Sequence, residues 1–151
     1  MDSLFIPSDC AQDIQKLQAN VTRRAKQIPR PSGGCLTKIS PVYGCDDLAA
    51  HSISDALKAA TGPLSSNTGD YTWNILIFFH GRATIGNTAT LMIPIVTHDT
   101  CTLHVVQDGG TTAALETSSR YHVFHKLHTL EIEGDGWMAA LCITALGERL
   151  G

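Results

Sequence analysis

The sequence predicts an α+β fold, with two N-terminal helices followed by a mostly antiparallel sheet of about five strands. Three observations lead there. Residues 9–28 space their apolar side chains as one face of a helix. From Tyr71 onward the apolar pattern changes to a period of two. Short turn-forming stretches then separate strand-length runs, as consecutive antiparallel strands require. The 151 residues fit one domain, 1–151, with a helical part over 1–62 and a β-rich part over 71–147.

The first helix is expected over residues 9–28. Asp9 and Gln12 fit a capping box. Cys10, Ile14, Leu17, Val21, Ala25 and Ile28 form one narrow apolar stripe. Such a stripe suits a helix lying on a sheet or one pairing with another chain, so Ile14, Leu17 and Val21 are candidate oligomer or partner contacts. Pro29, Pro31 and Gly33-Gly34 end the helix. Residues 29–45 read as a linker, with room for a short strand at Leu36–Ile39. A second helix is expected at about 46–60, started by Asp46 or Asp47 and stopped by Gly62-Pro63. Residues 61–70 read as a loop.

In the β-rich part, Tyr71–His80 alternates with apolar bulk on both faces near its end, as a central strand would. Thr88–Thr97 is a second strand, where Pro94 hints at an edge or a bulge. Cys101–Gln107 is a third, ended by Asp108-Gly109-Gly110. Residues 111–119 read as a polar loop or short helix. Arg120–Ile132 is taken as one bulged strand, and Trp137–Leu146 as the last, buried one. A helix-decorated β-sandwich is the neighbouring architecture.

Composition narrows the function classes. Charged residues make up 17% of the chain and the net charge is −3, which argues against a protein that binds nucleic acid over its whole surface. No stretch reaches the length of a membrane-spanning helix. Met1–Ile6 lacks a signal-peptide pattern, so a cytoplasmic, reducing compartment is expected, or a virion if the protein is viral. The five cysteines would then be free thiols.

The histidines form two triplets: His98, Cys101 and His104, then His122, His125 and His128. Imidazole and thiolate bind zinc, which makes His98, His104, His122 and His125 weak metal candidates. Three-residue spacing alternates faces on a strand, however, so Cys101 should point away from His104. No nucleophile elbow, phosphate loop or dinucleotide fingerprint occurs, so no catalytic residue and no cofactor is assigned. The one local charge feature is Arg23, Arg24, Lys26 and Arg30. These four cations within eight residues could meet RNA or an anionic membrane, or could simply complement the helix dipole.

These readings favour a non-enzymatic, self-associating structural protein of small viral matrix- or capsid-like type, partnered by itself and by RNA or anionic membrane. One alternative is a regulatory module that binds a host or partner protein through the first helix. The other is a metal-dependent hydrolase built from the histidines.

Overall fold

The computed structural model describes residues 2–6, 11–27, 36–39, 71–86, 90–118, 120–124 and 126–145. The second helix expected at 46–60 and the loop at 61–70 lie outside them.

The helical stripe does form a helix, α1 (Ala11–Lys26). Ten strands accompany it: β1 (Asp2–Phe5), β2 (Leu36–Ile39), β3 (Tyr71–Phe78), β4 (Gly81–Ile85), β5 (Thr90–His98), β6 (Thr102–Val106), β7 (Thr112–Ala114), β8 (Arg120–Phe124), β9 (His128–Glu133) and β10 (Trp137–Ala145). They make two antiparallel sheets. The larger runs β1-β8-β5-β10-β3-β2, and the smaller runs β4-β9-β6-β7. From β3 onward, consecutive strands alternate between the two sheets, except that β6 and β7 pair as a hairpin within the smaller one. Eight strands laid down this way form a jelly roll.

This corrects the expected fold class. The described residues hold one helix and two stacked sheets, not two helices and a single five-strand sheet. The physical reason is that successive period-two runs, β6 and β7 apart, cross from one sheet to the other instead of pairing as hairpins. The stretches after Phe78 and between Phe124 and His128, where the chain leaves one sheet for the other, were read as strand. The expected bulged strand over 120–132 is two strands, β8 and β9, in different sheets. Gly81–Ile85 is a strand that the reading left out, and Thr112–Ala114 is a short strand where a loop or helix was expected.

Alternation along each strand of the large sheet builds two cores. Ile75, Ile77, Leu91, Ile93, Val123, Leu141 and Ile143 face α1 and bury its Ile14, Leu17, Val21 and Ala25. Phe78, Met92, Phe124, Met138, Ala140 and Cys142 face the small sheet, where they meet Leu103, Val105, Leu130 and Ile132. The layers are thus helix, six-stranded sheet, four-stranded sheet. Ile75 and Cys142 are buried, as the sequence predicts; the side chain of Trp73 lies outside the description.

Two corners lock one end of the roll. The amide of Gly136 donates to the carbonyl of Thr100 at 2.8 Å. A Cβ on Gly134 would collide with the Thr100 carbonyl, and one on Gly136 with that of His98. Glycine is therefore a steric requirement at both positions.

Candidate functional site

Burial of one face of α1 leaves its flank to solvent. Gln15, Gln18, Ala19, Thr22, Arg23 and Lys26 recur at three- and four-residue intervals and line a shallow depression of about 580 Å³. Their spacing makes them one row beside the buried stripe. Gln18 Nε2 donates to the carbonyl of Ile95 at 2.9 Å, which ties this row to β5. Thr22 Oγ1 donates to the Gln18 carbonyl. Arg23 donates to Asn20 Oδ1 at 3.2 Å, so its guanidinium lies along the helix surface. The row thus presents amide and cationic donors, with no acid among them.

The charge of the sequence segment that holds this row is one-sided. Between Asp13 and Asp46 the chain carries six cations and no acid, while the rest of it holds the other five cations and all fourteen acids. Arg23 and Lys26 are exposed and line the depression, Arg24 is half-buried beside it, and Arg30 lies outside the described residues. The sequence reading found the cations but missed Gln15, Gln18 and Thr22. Helical spacing from Arg23 and Lys26 was the signal that could have found them. Ile14, Leu17 and Val21, expected as partner or oligomer contacts, lie inside the chain's own core.

Among the described residues the histidines do not converge. His98 stacks on Trp137 with ring centroids 5.2 Å apart, and its Nε2 lies 3.3 Å from Asp99. His104 stands 4.0 Å from Glu133 on the small sheet. His122 is buried on β8 between Ser3 and the Glu116 carbonyl. His128 bonds the Lys126 carbonyl through Nδ1 and meets the edge of Phe124. His125 lies outside the described residues. Cys101 is buried while His104 is not, as the alternation predicts. Burial pushes the Cys101 thiol up to about 11 and the Cys142 thiol up to about 12, so neither supplies a thiolate near neutral pH.

No family model matches the chain, and no curated protein does. Solved structures do. A prolyl-4-hydroxylase from Pseudomonas putida superposes with a TM-score of 0.64 at 15% identity, covering 99% of this chain and 92% of that one. A Shewanella oneidensis protein whose oxygenase assignment is provisional aligns at a TM-score of 0.42 and 13% identity, over 97% of this chain and 84% of that one, which is too distant to carry an argument. The first likeness shows that the fold is one a hydroxylase uses, over nearly the whole length of both chains.

That finding corrects the expectation of a viral matrix- or capsid-like, self-assembling structural protein: the architecture is shared with an enzyme. The two alternatives fail on geometry. The apolar stripe of α1 that was to dock a partner is filled by the sheet. Of the histidines that were to hold a hydrolase metal, those among the described residues, His98, His104 and His122, are dispersed.

Fold alone does not bring activity. An oxygenase of the non-haem iron type needs two histidines and a carboxylate on one face of the metal. Among the described residues no three His, Cys, Asp or Glu side chains come together to hold an ion. The space between the sheets is occupied by Phe78, Met92, Phe124, Leu130 and Met138, all but fully buried. The described residues therefore do not fit such an iron centre, and no catalytic step is derived through one. Among them, too, no helix is long and apolar enough to cross a membrane.

Proposed function

We propose that this chain is a binding domain on a hydroxylase-like jelly roll, and that its ligand is the phosphate backbone of a single-stranded nucleic acid held along the flank of α1. The observation that carries this reading is the depression lined by Gln15, Gln18, Thr22, Arg23 and Lys26, set in a stretch with six cations and no acid. Phosphate oxygens accept from amide, ammonium and guanidinium donors alike, and backbone contacts of this kind need no base-specific pocket. The helix dipole favours cations in the last turn, but it does not account for the polar row that continues back to Gln15.

An anionic membrane is the weaker ligand. A helix that binds a bilayer surface inserts its apolar face, and here that face is committed to the sheet. The outer row offers no large apolar side chain to replace it.

Titrating a labelled single-stranded RNA with the full chain, and in parallel phosphatidylserine vesicles, tests the reading. RNA binding at low salt that weakens steadily as salt rises supports it. Binding of vesicles without RNA, or no RNA binding at low salt, overturns it.

A further inference from the structure

We propose that His122 is a proton-operated latch that holds the edge strand β1 on the large sheet and lets it go when the imidazole takes a second proton. The inference rests on a different part of the molecule from the nucleic-acid reading and stands independently of it.

Strand β1 is four residues long and, among the described residues, pairs with β8 alone. Ser3 faces His122 in that pairing. The imidazole is 1% exposed and bonded at both nitrogens. Nε2 lies 2.7 Å from the Glu116 carbonyl, and Nδ1 lies 2.7 Å from Ser3 Oγ. A carbonyl oxygen can only accept, so Nε2 carries the proton of the neutral ring. Nδ1 is then a lone pair, and the Ser3 hydroxyl donates to it. One neutral ring thus joins β1, β8 and the segment after β7.

A second proton can go only to Nδ1. The Ser3 hydroxyl must then turn round and accept, and a full charge appears in a buried site. The surroundings do not compensate it. From β5 the neighbour paired with His122 is Met92, an apolar side chain. From β1 it is Ser3, which is uncharged. On its own strand Arg120 opposes the charge, and only Glu116 favours it. Desolvation is the largest influence and holds the ring below its ordinary value of 6.5. Arg120 itself lies over the Phe5 ring, 4.0 Å from its centroid, so the same strand carries a second, cation–π tie to β1.

When β1 leaves, the ring meets water and regains its ordinary proton affinity. The released state therefore binds more protons than the latched state. The latch is at full strength above about pH 6.5 and weakens as pH falls through that value. Release bares the outer edge of β8, a row of backbone donors and acceptors that β1 otherwise covers.

Hydrogen exchange of the β1 amides that bond into β8, which in an antiparallel edge strand are every second one, measured in the full chain at about pH 5.5 and about pH 7.5 and corrected for intrinsic rates, tests the latch. One proton with an ordinary affinity allows at most about a tenfold rise in opening between these two conditions. A several-fold rise in the wild type, abolished in His122→Phe, is the expected result. Equal opening at the two pH values overturns the proposal, and so does a pH dependence that survives in His122→Phe. If that variant does not fold, nitrogen-15 titration of the wild-type imidazole decides. A proton on Nε2 and a midpoint below 6.5 support the latch; a proton on Nδ1 or a midpoint at or above 6.5 overturns it.

Discussion

Gln18 of α1 donates to the main-chain oxygen of Ile95 across 77 positions of sequence, and the reason lies in the ladder between β5 and β10. Ala140 pairs with Pro94 and Ala139 with Val96, so Ile95 is skipped at a bulge. Proline has no N–H to give the ladder, and a bulge is where a central strand tolerates it. The carbonyl that the bulge leaves over finds its donor on the helix.

Replacing Gln18 with Ala should therefore cost about 1 kcal/mol, because the carbonyl loses its partner in a part-buried place. Urea unfolding of the two proteins measures this. An unchanged midpoint would mean that water replaces the amide without loss.

Leu17→Asp should abolish the native fold. Leu17 is 1% exposed and sits in the core between α1 and the large sheet, and a carboxylate there has no cationic partner in the surrounding cluster. The milder Leu17→Ala should cost about 2–5 kcal/mol. A folded Leu17→Asp chain, by circular dichroism and thermal melting, would show that the helix stripe faces outward after all.

Gly136→Ala should destabilise by at least about 2 kcal/mol, since the new methyl meets the His98 carbonyl at a corner also held by the Gly136–Thr100 hydrogen bond. Gly109→Ala is the control. That glycine has positive φ but open space around it, so only the smaller backbone penalty applies. Comparing the two midpoints separates a clash from a conformational preference.

Cys101 and Cys142 should react slowly with thiol reagents in the native state, because both are buried and both thiols are pushed up, to about 11 and about 12. Alkylation followed by peptide mass spectrometry should find them unmodified until denaturant is added. Native labelling of Cys142 at the rate of a free thiol would contradict the packing between the sheets.

Much of this is legible in the sequence. The 4-3-4-4 spacing from Cys10 to Ala25 identifies α1 and its inner face, because a helix on a sheet needs only local periodicity. The strands around Ile75, Leu91 and Cys142 are equally clear. Sheet membership was not, because period two says that a residue lies on a strand and nothing about which sheet the strand joins. The His122–Ser3 contact spans 119 positions, and no local pattern encodes a pairing at that distance. In the candidate site, Arg23 and Lys26 stood out by charge. Gln15, Gln18 and Thr22 are unremarkable as letters and gain meaning only from sharing a helix flank.

The central claim is that α1 holds phosphates through its cations, and the salt dependence of RNA affinity in wild type against Arg23→Glu/Lys26→Glu tests it most directly. Two phosphate contacts on a single strand contribute a slope of about −1.4 in log affinity against log salt, or about a sevenfold loss between roughly 50 and 200 mM. The double variant should fold normally, bind far more weakly and lose at least that much slope. Equal affinity and equal slope in the two proteins would contradict the assignment of the site to α1.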